Sequence, residues 1–250
     1  MGRLPKLRAV KFNQKTGRRL GSDFFKFMQK GMSYMHKEGR QLEMLTFDNI
    51  LGAVSKEHLF GVLKNHPNLI CLKINRGTLS IDDAKAVGKI LADFKCIREL
   101  DVSNSGLNLQ TTKEIADGLM RAKQLEIFRA GSNPAMGVAV NTVLYNLAFS
   151  PKIKMIELSN LTGTNRDTGE ALYKLLKISG AIETLLMQNT GVSFHLTEDF
   201  FKALGENKTI VYLNLDEKTP CTFDYLMAKA IAMNSYKNGS LEAVSMVNWI

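Results

Sequence analysis

The chain has 250 residues, of which 45% are hydrophobic and 23% are charged, a composition typical of a globular protein with a large core. It contains no run of about 18 apolar residues, which argues against a transmembrane segment, and its first residues lack the apolar stretch of a signal peptide. Three cysteines without a CxxC pair predict free thiols in a reducing compartment, and therefore a cytoplasmic protein.

The excess positive charge lies at the N-terminal end. Residues 1–40 contain eleven Lys or Arg residues and two acids and so carry the whole net charge of +9, whereas residues 41–250 are balanced. We interpret residues 1–40 as a basic capping segment that contains a degenerate first repeat. The alternative is a polyanion-binding module for an acidic surface such as tubulin tails, anionic lipid or RNA. The candidate basic patch consists of Lys6, Arg8, Lys11, Lys15, Arg18 and Arg19.

Residues 41–250 repeat the pattern L-x-x-L-x-L, in which L is any aliphatic or large apolar residue. The first anchors of successive copies are 27 to 31 residues apart, and a weaker copy begins 35 residues upstream of the first clear one. In chain order the triplets are Leu7, Val10, Phe12; Leu42, Leu45, Phe47; Leu69, Leu72, Ile74; Ile97, Leu100, Val102; Leu125, Phe128, Ala130; Ile153, Ile156, Leu158; Ile182, Leu185, Met187; Ile210, Leu213, Leu215; and Leu241, Val244, Met246.

Each triplet predicts one short strand and one helix. The second and third anchors alternate at period two, as on the buried side of a strand, and the residues that follow carry apolar side chains at helical spacing, such as Ala84, Val87 and Leu91. Stacked units would form a parallel sheet on a concave side and helices on a convex side. A doubly wound α/β fold also alternates strands and helices, but its units vary in length and its strands are longer.

The period and phrases such as HPNLICLKIN (66–75) and NKTIVYLNLD (207–216) resemble the ribonuclease-inhibitor class of leucine-rich repeats. The resemblance implies a right-handed leucine-rich-repeat solenoid with about eight or nine repeats of about 28 residues. That class usually places Asn or Cys three residues after the third anchor, where only Asn133 fits well here and Ser105 and Thr190 are weaker substitutes. This departure predicts irregular turns, and it is more similar to the tropomodulin-like, cytoskeletal end of the family.

The concave residues between the anchors are the candidate protein-binding site. One column places opposite charges on four successive strands, which predicts either a ladder of exposed ion pairs or a mixed-charge docking surface. The neighbouring column is apolar in places and predicts a contact patch. The charged column contains Lys73, Asp101, Arg129 and Glu157, and the apolar candidates are Ile127, Met155, Leu186 and Tyr212.

No residue pattern indicates catalysis or cofactor binding. The sequence lacks a Walker loop, GxGxxG, HExxH and any zinc-like Cys/His spacing, and its four histidines are scattered over different repeats. We therefore expect a protein that is not an enzyme and has no cofactor or metal. The sequence ends just after the last strand, so we also expect the C-terminal edge to contact further chain or another protein.

These patterns favour a non-catalytic scaffold, a structural subunit of a larger cytoplasmic assembly, with the cytoskeleton or cilium as its expected location. The alternative is a regulator that binds one globular target in its concave face, as ribonuclease inhibitor or an actin regulator does. That alternative predicts that charge reversal of Lys73 and Arg129 abolishes one interaction.

Overall fold

A computed structural model describes residues 7–13, 22–49, 63–218, 225–237 and 239–247. Nine parallel strands form one sheet, and they lie in the sheet in the same order as in the chain. The predicted α/β class with strands alternating with helices is therefore confirmed. The strands are β1 (Ala9–Asn13), β2 (Met44–Asp48), β3 (Cys71–Asn75), β4 (Glu99–Asp101), β5 (Ile127–Arg129), β6 (Met155–Glu157), β7 (Thr184–Leu186), β8 (Tyr212–Asn214) and β9 (Ala243–Ser245).

The described helices follow the strands. They are α1 (Ser22–Lys37), α2 (Ile81–Asp93), α3 (Leu109–Leu119), α4 (Ala139–Ala148), α5 (Arg166–Ile178), α6 (Glu198–Glu206) and α7 (Tyr225–Lys237). Ser80 and Thr197 cap α2 and α6, because each side chain accepts a hydrogen bond from a backbone N–H in the first turn. No helix in the described part of the chain is long and apolar enough to cross a membrane.

Within the described residues, helices cover one face of the sheet. In β5, β6 and β7 the central residue is buried and its two neighbours are half-exposed, because successive side chains of a strand point to opposite faces. The buried anchors, such as Leu100, Phe128 and Ile156, join the apolar faces of the helices in one continuous core. The other face of the sheet, called the open face below, carries the residues between the anchors.

The core continues across the proposed boundary at residue 40. Strand β1 pairs with β2 in register, and Phe12 stacks on Phe47 of β2 at a ring distance of 5.6 Å. Phe25 of α1 is 2% exposed and also contacts the Phe47 ring. Residues 7–13 and α1 therefore pack against the first clear repeat.

The turns after six strands begin alike. A residue with positive φ lies two positions after the third anchor, and its N–H donates to a carbonyl of the following repeat. Asparagine tolerates this left-handed conformation better than most residues, and it occupies four of the six positions. The loops differ from one another only further along the chain, where two of them form 3-10 turns at Pro134–Met136 and Val192–His195. The six residues are Asn49, Arg76, Asn104, Ser132, Asn160 and Asn189.

Asn133, which fits the position where the resembled class places Asn or Cys, hydrogen-bonds to backbone groups around its turn. Its Oδ1 accepts from the backbone N–H groups of Ser105 (2.9 Å) and Leu107 (3.0 Å), and its Nδ2 donates to the carbonyls of Val102 and Ala130. The side chain is completely buried. Its amide therefore satisfies backbone groups of two successive repeats.

Buried asparagines also join successive helices on the other side of the core. Each donates its side-chain amide to a carbonyl in the last turn of the preceding helix, where most carbonyls lack an intrahelical partner, although the Ala116 carbonyl also accepts from the Met120 N–H at 3.3 Å. The bonds run from Asn146 to Ala116 (2.8 Å), from Asn207 to Leu176 (2.7 Å) and from Asn234 to Leu204 (2.8 Å).

Candidate functional site

The open face aligns its side chains in two columns that follow the strand register. Lys73, Asp101, Arg129 and Glu157 are direct neighbours on β3 to β6, as the sequence predicts. The same register continues through Leu186 and Asn214. The second column contains Cys71, Glu99, Ile127, Met155, Thr184 and Tyr212.

The predicted apolar residues form one patch on four consecutive strands. Ile127, Met155 and Tyr212 belong to one column, and Leu186 lies two residues beyond Thr184 on the strand between Met155 and Tyr212. All four side chains are half-exposed. Adjacent strands are about 4.8 Å apart, so the patch spans roughly 14 Å across the strands. We call these four residues the apolar patch.

The charged residues meet at Glu99, which the sequence analysis did not single out. Its carboxylate accepts a hydrogen bond from Lys73 Nζ (2.7 Å), from Arg129 Nη1 and from the Cys71 thiol (3.3 Å). The Lys73 and Arg129 side chains are 28% and 27% exposed, and that of Glu99 is 19% exposed. We call these four residues the Glu99 cluster.

The sequence predicted ion pairs between neighbouring residues of the charged column, and this prediction of the pairing partners is wrong. Lys73 and Arg129 pair diagonally with Glu99 of the neighbouring column, and neither forms an ion pair with Asp101 or Glu157 in the described residues. Those two acids instead accept hydrogen bonds from backbone N–H groups beyond the strands. The donors are Ser103 for Asp101 (3.0 Å), and Gly131 (3.1 Å) and Ser159 (3.0 Å) for Glu157.

Burial and charge shift the pKa values of the cluster. Burial raises the pKa of the Cys71 thiol to about 12, and the Glu99 carboxylate adds to the shift. Burial alone would raise the pKa of Glu99, but bonds from Lys73 and Cys71 and the charge of Arg129 outweigh it and lower the value. Burial likewise opposes the charge of Lys73, whose pKa is nevertheless raised because Glu99 stabilises it. At neutral pH the cluster holds a carboxylate, two cations and a neutral thiol.

Exposed ion pairs between successive repeats do occur, three residues before the predicted column. The residues that immediately precede the strands pair across successive repeats, where their side chains are mostly exposed. The sequence signal was present, because opposite charges recur there at the repeat spacing. The pairs are Arg8–Glu43 (2.9 Å), Arg98–Glu126 (3.6 Å) and Lys154–Glu183 (3.3 Å).

The basic patch is only partly within the described residues. Arg8 is engaged with Glu43, and Lys11 is exposed on the edge strand β1. Lys6, Lys15, Arg18 and Arg19 lie outside the described residues. Of the six residues the structure therefore describes only Arg8 and Lys11.

No group of three or more His, Cys, Asp or Glu side chains in the described ranges is arranged to hold a metal ion. His66 is buried and accepts a hydrogen bond from the Leu42 N–H at 3.1 Å.

No protein-family model matches the chain, and no curated protein matches it either.

Proposed function

We propose that the chain is a leucine-rich-repeat solenoid of the ribonuclease-inhibitor type and a non-catalytic scaffold that binds another protein on its concave face. The observation that carries this proposal is the apolar patch, because it gathers large side chains from four neighbouring strands on the face that helices leave open. Tyrosine is frequent among residues that dominate binding energy, so Tyr212 is the expected anchor.

The charge distribution favours apolar recognition over recognition by Lys73 and Arg129. A partner that paired with either cation would first have to compete with Glu99. Ile127, Leu186 and the Tyr212 ring remain half-exposed and carry no charge for Glu99 to compensate, although Arg129 Nη2 contacts Met155 Sδ at 3.5 Å. Burying these side chains against a partner removes apolar surface from water, at about 25 cal/mol per Å².

The test is affinity purification of the tagged chain from its native cells, followed by size exclusion and mass spectrometry. We expect the double variant Leu186→Ser, Tyr212→Ser to lose about 100-fold or more of its affinity for a stoichiometric partner. The matched control is Val138→Ser, Phe194→Ser, since both residues are large, apolar and exposed but lie off the open face. Circular dichroism checks that all variants fold.

The proteins that co-elute also distinguish a structural subunit from a regulator that binds one target. Co-elution with a large assembly would support a structural subunit of a cytoplasmic machine, for which the cytoskeleton and cilium are the proposed locations. Co-elution with one small partner would support the regulator alternative. A partner set that is unchanged in the double variant would contradict binding through the apolar patch.

A further inference from the structure

A strip of apolar and basic residues lies along one edge of the molecule, away from the open face. It is formed where α3, α4 and α5 end and the chain turns back towards the sheet. The following strands β5, β6 and β7 begin in register, so the three helix ends lie side by side at one level. We call this the edge strip, and it consists of Met120, Arg121, Lys123, Phe149, Lys152 and Ile178.

The apolar residues of the strip occur at the same place in three successive repeats. Met120 and Phe149 directly follow α3 and α4, and Ile178 is the last residue of α5. Their exposures are 55%, 48% and 45%. Single exposed apolar residues are common on protein surfaces, but three on neighbouring helix ends form a contiguous row.

Among the described residues, the cations of the strip have no acidic partner. Arg121, Lys123 and Lys152 are exposed, and none of them forms an ion pair within the described part of the chain. Lys152 donates to Gln124 at 2.6 Å, which leaves its charge uncompensated. Cations near helix C-termini do stabilise the helix dipole, which accounts for their sign but not for the exposed Met120, Phe149 and Ile178.

We propose that the edge strip binds the surface of an anionic lipid bilayer. Exposed apolar side chains flanked by Lys and Arg suit an interface in which the apolar groups enter the acyl boundary and the cations contact headgroup phosphates. The single sign of charge suits a surface of uniform charge, whereas protein interfaces usually combine both signs.

A single-stranded nucleic acid fits the strip less well. Such ligands stack their bases on several aromatic rings, whereas Phe149 is packed edge to face against the adjacent Tyr145 ring at 5.3 Å and Met120 and Ile178 are aliphatic. An acidic polypeptide remains a separate ligand class that the experiment distinguishes.

The test is co-sedimentation of the full chain with vesicles of phosphatidylcholine alone or with phosphatidylserine, at low and high salt. We expect binding only to the phosphatidylserine vesicles, and weaker binding at high salt. Each lost cation should weaken binding about fivefold, so Arg121→Gln, Lys123→Gln, Lys152→Gln should bind about 100-fold more weakly. The matched control is Lys85→Gln, Lys89→Gln, Lys113→Gln, which removes exposed cations from the outer faces of α2 and α3.

Insertion of the apolar residues is tested separately. Phe149→Trp should show a blue-shifted emission on the phosphatidylserine vesicles that the wild-type chain, with its single Trp249, does not show. Met120→Ser, Phe149→Ser should reduce vesicle binding although no charge has changed.

Three results would overturn the proposal. In the first, the two triple-glutamine variants lose vesicle binding equally. In the second, vesicle binding is lost only when the N-terminal cations Lys26, Lys30 and Lys37 are replaced. In the third, the chain binds polyglutamate through the strip but does not bind vesicles. The apolar patch is intact in every variant, so failure here leaves the protein-binding proposal standing.

Discussion

The two halves of the open face differ in what their side chains already contact. On β3, β4 and β5 the charges of Lys73, Arg129 and Glu99 satisfy one another, whereas β6, β7 and β8 carry half-exposed apolar groups. The charged side chains of this surface therefore have more of their interactions satisfied within the chain than the apolar ones do. The comparison teaches that the residues available to a partner are those whose interactions are incomplete within the chain.

The largest expected effect that would sharpen this comparison concerns Cys71. A pKa of about 12 in place of 9.0 lowers the thiolate fraction at pH 8 about a thousandfold, and the thiolate is the reactive form. We expect iodoacetamide to label Cys71 at least a thousandfold more slowly than a free thiol in a peptide. Peptide mapping by mass spectrometry measures this, with the half-buried Cys96 as a reference in the same chain.

The dependence on Glu99 is the critical control for this labelling. Glu99→Gln removes a carboxylate that raises the thiol pKa, so labelling of Cys71 should become faster. Rapid labelling of Cys71 in the wild-type chain would show that the Glu99 cluster does not bury the thiol and hold it neutral.

A smaller effect is expected on stability. Glu99→Gln leaves Lys73 and Arg129 close together and half-buried without their shared anion, which should lower the free energy of unfolding by about 1–2 kcal/mol. Thr184→Val, in the same column of the other half, should change it by less than about 0.5 kcal/mol. Urea unfolding measures both, and equal effects would contradict the difference between the halves.

The smallest effect is a local loss of protection in acid. The bond from Arg76 lowers the pKa of Asp48, against burial, and the pKa of Glu99 is also lowered. A carboxyl with a lowered folded pKa contributes stability that is complete above its unfolded value, near 4, and is lost as the pH falls through the folded value.

Hydrogen exchange at pH 7 and near pH 3, corrected for intrinsic rates, should therefore show protection falling a few-fold more in β2–β4 than in β6–β8. In Glu99→Gln the part of this difference that depends on Glu99 should disappear. A uniform loss over all strands would argue against a separate acid-sensitive half.

Strand positions and register could be predicted from the sequence because they depend on apolar spacing alone. A shift of one residue would turn every anchor, such as Leu100 or Phe128, to the wrong face. The role of Asn133 was predictable for a similar reason, since one buried amide must satisfy fixed backbone groups.

Side-chain pairing on the open face could not be predicted from columns. Glu99 is long enough to reach the cations on both neighbouring strands, whereas Asp101 is short and is bound by the nearby Ser103 N–H. Backbone N–H donors at strand ends compete for the same carboxylates, and an alignment of the repeat sequences does not show these donors. The edge strip could not be predicted because its residues belong to helix ends, where apolar spacing indicates only the buried face of the helix.

The asparagine bonds between helices give the chain a direction. Carbonyls near the end of one helix accept from the asparagine of the next repeat, as when Asn207 binds Leu176 and Asn234 binds Leu204. During synthesis each such repeat leaves the ribosome with carbonyls that only water satisfies until its successor follows. Folding of this region should therefore advance one repeat behind translation, and the repeats gain stability as a series of coupled neighbours rather than as independent units.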